Sequence, residues 1–380
     1  MAAAVTAAGV HNRATKPQNQ DAFVLERLQP ASQPQAALPA AILLGVLDGH
    51  GPNGHLAAQH ISAQLAAVVR ERAAQALACP RPRDSVLWWE AEFLVSICNR
   101  TGSSWGALGA EACGASSLSQ DQARDALEQA FSQAAQSIAT VEGCDFSLSG
   151  ATAVACLVLP DSVVALWCGD SRAVVGRRGL DGSCIATPLT RDHKPGDPEE
   201  VARIRAAGGR VVRAQDKSGN PIGESGEPCA CAVGRRVGPC RVTPNVPPGM
   251  PTPGLSVARA FGDLAMSSCG ILPLPEFAVL PRGTAAGSSP GTPTSITSLR
   301  ATQQAQYQKL GGQQGPQEVL VAATDGLWDV LSNQEAVEQA FRAGSPEEAA
   351  QLLVEVARER WAAKSCGRHA DDITAVVAFL

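Results

Sequence analysis

Five times along the chain a run of apolar, strand-forming residues is opened or closed by an aspartate, and this pattern constrains the fold more than any other feature. Asp48 closes the run that starts at Ala40, and Asp325 follows the run Val319 to Ala323. Asp21 opens the run Ala22 to Leu25, Asp170 precedes Ala173 to Gly176, and Asp371 stands before Ile373 to Leu380. Apolar blocks of this length read as strands. The aspartates then lie at strand ends, where a loop on a rigid support holds chemistry. In LGVLDGHGPN (44–53), Gly49 and Gly51 let the backbone turn tightly and approach a ligand. Asp48, the Gly49 carbonyl and His50 therefore converge on one strand end.

The rest of the chain supplies layers for such strands. Residues 1–10 read as a first strand. Residues 55–78 repeat apolar positions at three and four and predict an amphipathic helix, as do 119–141, with Asp121 in the first turn. Ala153 to Leu159 and Ser162 to Cys168 read as a hairpin around Pro160 and Asp161, and Ser183 to Leu189 as a further strand. A short helix is expected over 199–207, ended by Gly208 and Gly209, and two more over 333–342 and 346–363. Strands in hairpin order with helices grouped after them predict an α+β fold of two packed sheets with helices outside. No linker or internal repeat is visible. One domain over 1–380 is expected, with surface insertions near 79–118, 214–254 and 282–316.

Composition narrows the partners. The formal net charge is −5 and no long basic block occurs, so nothing points to nucleic acid. No apolar run reaches bilayer length, and the N-terminus lacks the basic segment of a signal peptide. Twelve cysteines without regular short spacing favour a reducing compartment, cytoplasmic or nuclear. Cys229, Cys231 and Cys240 form the one cluster, which reads as loop thiols or as a small zinc or redox site.

Carboxylates grouped with a backbone carbonyl suit hard divalent ions such as Mg²⁺ or Mn²⁺. Two ions about 4 Å apart share a carboxylate and activate the water between them, so no protein nucleophile is needed. His50 is suited to act as a general acid. The alternative reading makes the aspartates turn formers and His50 a cap. No G-x-x-x-x-G-K-[ST] segment supports a phosphate-binding loop.

Eight segments carry a resemblance: NQDAF (19–23), LGVLDGHGPNGH (44–55), SGATA (149–153), CGDSRAVV (168–175), LTRDHKP (189–195), LSVARAFGD (255–263), ATDGLWDVLS (323–332) and DDITAVV (371–377). Together they resemble the metal-dependent protein serine/threonine phosphatases of type 2C (PPM), most closely the plant and green-algal branch. The resemblance implies a four-layer α-β-β-α sandwich of two mainly antiparallel sheets, with two Mg²⁺ or Mn²⁺ ions in the cleft between them. By that resemblance Asp48 bridges both ions, the Gly49 carbonyl binds one, and Asp325 and Asp371 complete the direct carboxylates. Asp21 holds bound water, Asp170 with Asp329 serves a weaker third ion, and His50 is the general acid. Asp192, Arg259 and Asp263 read as structural. Lys16 stands where an arginine often grips phosphate, Gln20 where a glutamate often lies, and Asp372 replaces a frequent asparagine.

The expected activity is hydrolysis of phosphoserine and phosphothreonine in proteins by a monomer, with a regulatory protein as a further partner at the insertions. A silent binding module on the same fold and a two-metal hydrolase of small phosphate esters are the rival readings.

Overall fold

The computed structural model describes residues 1–11, 14–29, 39–78, 117–179, 182–213, 240–245, 254–282 and 317–380. Of the expected insertions near 79–118, 214–254 and 282–316, residues 79–116, 214–239, 246–253 and 283–316, with Cys229 and Cys231, lie outside these.

Two five-stranded antiparallel sheets form the centre. One runs in the order Ala2–Ala7, Ile373–Phe379, Glu318–Ala323, Arg172–Arg178, Cys184–Pro188. The other runs Glu276–Pro281, Ser162–Cys168, Ala153–Val158, Ala41–Leu47, Ala22–Leu28. The central strands are apolar at nearly every position because both their faces are buried. Along Ala41–Leu47, Leu44 and Val46 face the other sheet, while Leu43 and Leu47 face the helices. Across the interface Leu320, Ala322, Val376 and Ala378 complete the inner core, and Val319, Val321, Ala375 and Val377 turn outward. This period of two sorts one run of residues into two cores.

Helices cover the outer faces, as the pattern of elements predicts. Gly54–Ala78 and Gln120–Ser137 pack on the second sheet through Ile61, Leu65, Leu127 and Phe131. Asn333–Arg342 and Pro346–Ser365 pack on the first through Val337, Leu353 and Trp361. Ser119 and Ser332 begin two of these helices with capping boxes to Gln122 and Glu335.

Two differences from the sequence expectation concern the segment 214–254 and its surroundings. Cys240–Thr243 is a strand, paired antiparallel with Arg210–Arg213, and not part of a structureless loop. Its Val242 is fully buried with Ile204, Val211 and Ile271 in a separate small core, a long-range packing that a four-residue run does not advertise. Gly254 likewise belongs to the wall of the cleft described below. The predicted helix over 199–207 is Pro198–Ala206, opened by Asp197, whose side chain accepts from the Glu199 amide. The described cysteines, Cys240 among them, are free thiols. No described helix is long and apolar enough to cross a membrane.

Candidate metal centre

Antiparallel pairing explains why the aspartates alternately open and close their runs. The C-terminal end of one strand lies beside the N-terminal start of its neighbour. Ala22 pairs with Leu47, which sets Asp21 beside Asp48. Ala323 pairs with both Arg172 and Ala375, which brings Asp325, Asp170 and Asp371 to the same end of the other sheet. The five aspartates thus share one edge of the sandwich. There a cleft of about 390 Å³ is lined by Asp48, Asp170, Asp325 and Asp371 together with Lys16, Gln20, Gly49 and His50.

Local bonds hold this edge. Trp328 Nε1 donates to the Ala323 carbonyl (2.9 Å) and Trp361 Nε1 to the Gly326 carbonyl (2.7 Å), fastening the short helix Asp325–Trp328 that carries Asp325. Thr324 Oγ1 donates to Asp21 Oδ2 (2.9 Å) and accepts from the Thr374 amide (3.0 Å), so one hydroxyl joins both sheets beneath the aspartates. Asp372, set apart in the sequence as a departure, is buried and accepts from the amides of Gly9 (2.6 Å) and Gln20 (3.0 Å). It anchors the N-terminal segment. The Gln20 side chain donates to the Gly51 carbonyl (2.7 Å).

The carboxylates are crowded. One oxygen each from Asp48, Asp170 and Asp325 falls within a 4.8 Å group. Burial, and then the charges of Asp325, Asp21, Asp371 and Asp170, push the Asp48 carboxyl well above its ordinary range. Burial and then Asp170 do the same to Asp325. Asp21 is pushed up to about 7, mainly by burial. Asp21 Oδ1 and Asp170 Oδ1 are buried without a hydrogen-bond partner among the described residues. Like charges packed with orphaned oxygens are costly alone, and they fit hard divalent cations, which take oxygen ligands and repay the crowding.

Two lysines reach into the same field. Lys16 Nζ donates to Asp371 Oδ1 (2.7 Å) and lies 3.5 Å from Asp372. Lys194 Nζ pairs with Asp170 and stands 3.8 Å from Asp325 Oδ2.

His50 has a partner that sequence reading set aside as structural. Its Nε2 lies 2.6 Å from Asp263 Oδ2, and Asp263 is fully buried. Gly150 pairs with both His50 and Gly262, so it sits between the two side chains. A Cβ on Gly150 would strike Asp263, and only glycine leaves the path open. Asp263 also adopts a left-handed backbone, φ 46°, uncommon outside glycine. The available signal was a sixth aspartate after an apolar stretch, in LSVARAFGD. Asp192 and Arg259 do sit in ion pairs: Asp192 takes Arg172 through two bonds (2.8 and 2.7 Å), and Arg259 joins Glu200 and Glu276. Arg241, absent from the sequence-level site, lines the cleft from the flanking strand, with Nη1 on the Gly254 carbonyl (2.8 Å).

A four-layer sandwich of this architecture with acidic strand ends in its cleft defines an α+β protein with a candidate metal centre. The family model for protein phosphatase 2C matches residues 111–366, and the chain belongs to that family. Among its relatives, "Probable protein phosphatase 2C 14" of Oryza sativa subsp. japonica is 31% identical over 341 residues, 89% of this chain and 54% of that protein. "Probable protein phosphatase 2C 72" of Arabidopsis thaliana is 29% identical over 339 residues, 89% of this chain and 76% of that one. The chain spans little more than half the length of several relatives that it matches. In fold it is similar to serine-threonine phosphatase 2C from Toxoplasma gondii, with a TM-score of 0.60 at 21% identity, covering 100% of this chain and 94% of that one. A C. elegans sex determining protein gives a TM-score of 0.56 at 19% identity, covering 100% and 64%.

Proposed function

We propose that this protein hydrolyses phosphoserine and phosphothreonine in other proteins with the help of two divalent cations, Mg²⁺ or Mn²⁺. The observation that carries the reading is the meeting of Asp48, Asp170 and Asp325, from three separate strand ends, with Asp170 Oδ1 and the neighbouring Asp21 Oδ1 buried without a donor among the described residues. Asp48, the Gly49 carbonyl, Asp325 and Asp371 are the groups that would hold the ions, with Asp21 close behind and Asp170 toward a weaker third position. When bound, such ions supply Lewis acidity that neutralises phosphoryl charge and makes water a competent nucleophile.

The chain's own groups do the remainder. Thr324 fixes the orientation of Asp21, and the two indole donors fix the helix bearing Asp325. Asp263, an acceptor through its carboxylate oxygens, accepts a hydrogen bond from His50 Nε2–H, so that the doubly protonated ring gives its Nδ1 proton to the departing Ser or Thr oxygen and is left neutral with Nε2–H still on Asp263. Lys16 and Arg241 supply positive charge at the cleft for the phosphorylated substrate, Lys16 as a point charge and Arg241 with its planar fork.

The test is turnover of a phosphopeptide with manganese, against chelated protein and the variants Asp48→Asn and Asp325→Asn. Loss of turnover by more than about a hundredfold in each variant is expected, from the scale of electrostatic contributions to catalysis. Undiminished variants would sink the reading. Faster turnover of small phosphate esters than of the phosphopeptide would point to a small-ester hydrolase instead.

A further inference from the structure

The acidic cleft carries a cation of its own. Lys194 is half-buried; its ammonium rests on Asp170 and lies 3.8 Å from Asp325 Oδ2. Asp170 itself is buried, 1% exposed, and its other oxygen has no hydrogen-bond partner among the described residues. One carboxylate therefore presents one oxygen to a lysine and keeps a second, undonated oxygen in the cleft.

The backbone at Lys194 is not free to retreat. The adjoining His193 is fully buried, and its amide donates to the Gly169 carbonyl (2.9 Å). In return the Gly169 amide donates to His193 Nδ1 (3.0 Å), and the Ala258 amide donates to the His193 carbonyl (2.8 Å). The segment bearing Lys194 is thus clamped directly to the turn bearing Asp170. Behind it, His193, Glu200 and Glu276 form a group with metal-like spacing. Arg259 and Arg203 already neutralise Glu200, and Arg259 and Arg191 neutralise Glu276, so that group is a charge-balanced support. These bonds hold the backbone beside Lys194, and its side chain is held by the ion pair with Asp170.

Building on the metal reading above, we propose that Lys194 is a resident competitor for the divalent cation on the Asp170 and Asp325 side of the cleft. Its ammonium offsets the crowded carboxylates, and an ion that takes Asp170 Oδ2 has to displace it, while an ion on Oδ1 meets its charge across the same carboxylate. A dication bound by several carboxylates wins this exchange because it brings twice the charge to the same oxygens. The lysine lowers the affinity of that position and stabilises the protein before the ion arrives.

The inference makes metal binding and stability move in opposite directions. Manganese alone is titrated into the full-length chain by calorimetry, for wild type, Lys194→Met, Lys194→Arg and Asp170→Asn. Lys194→Met is expected to bind manganese about tenfold tighter or more, the effect that one adjacent charge has on a carboxylate equilibrium. Lys194→Arg, which keeps the charge, is expected to bind as wild type does. In an Asp170→Asn background Lys194→Met should tighten nothing. Thermal melting gives the second readout: Lys194→Met should melt below wild type in chelator, and at or above wild type in saturating manganese. Unchanged or weaker binding by Lys194→Met, or an equal melting loss with and without manganese, overturns the proposal. If wild type takes up no manganese, the metal reading falls with it; uptake by wild type without tightening in Lys194→Met overturns this inference alone.

Discussion

His50 and Asp263 are 213 residues apart in the chain and 2.6 Å apart in the fold. A buried acceptor on one imidazole nitrogen selects the tautomer and fixes the ring, as a general acid requires. Asp263→Asn keeps the shape but offers an amide that can turn its donor toward the ring, and so unsettles the tautomer. On phosphoserine peptide it should lower kcat about a hundredfold, within the usual range for acid–base catalysis, with KM little changed. On an aryl phosphate whose leaving group needs no proton, the loss should shrink to a few-fold. Steady-state kinetics on the two substrates check this; equal losses on both would remove the proton-transfer role from the pair.

At the scale of elements, the site depends on how closely the short helix Asp325–Trp328 meets the final strand. A Cβ on Gly326 would collide with the Asp372 carbonyl oxygen, which is backbone and cannot swing aside. Gly326→Ala should therefore push Asp325 away from its neighbours and cost about 1–3 kcal/mol, the usual penalty for overpacking. Denaturant unfolding measures the stability, and manganese calorimetry should show weakened binding in the same variant. The comparison is Ser332→Ala, which removes the capping box with Glu335 on an exposed helix start. That change should cost about 1 kcal/mol and leave manganese binding as it was. The final strand and the helix that Ser332 caps are readable in the sequence, since capping residues and apolar runs are local, whereas the four-residue helix Asp325–Trp328 carries too short a pattern and was not expected. The strand Cys240–Thr243 was missed because its evidence is Val242 meeting Ile204 and Val211 across the fold, which no local pattern carries.

The whole molecule couples its stability to the charge gathered at one edge. Asp21 has its pKa raised from the ordinary 3.8 to about 7, and Asp48 and Asp325 are also raised, all chiefly by burial. A carboxyl with a raised folded pKa binds more protons folded than unfolded, so stability falls as pH rises through the window between the two values. His193, lowered to about 4 mainly by burial, acts in the opposite sense, but only below its unfolded value near 6.5. Above that the carboxyls act alone. In chelator the melting temperature should fall as pH rises from about 6.5 to about 7, the folded value of Asp21, and saturating manganese should flatten or reverse the slope. A metal-free protein that gains stability across this interval would contradict the account. The same charge cluster explains why so much of the centre was legible in advance: aspartates at strand ends are marked by the apolar runs beside them. Lys16, read as a phosphate contact, lines the cleft and pairs with Asp371, a contact between distant segments that no local pattern carries.

Apolar blocks of strand length, two-sided and punctuated by aspartate, were enough to specify buried sheets and an acidic edge, since side-chain alternation and burial are properties of neighbouring residues. Which strands pair, and in what register, is decided between segments far apart in the chain. Only that pairing set Asp263 against His50 across Gly150, drew Arg241 into the cleft, and laid the Lys194 ammonium over Asp170.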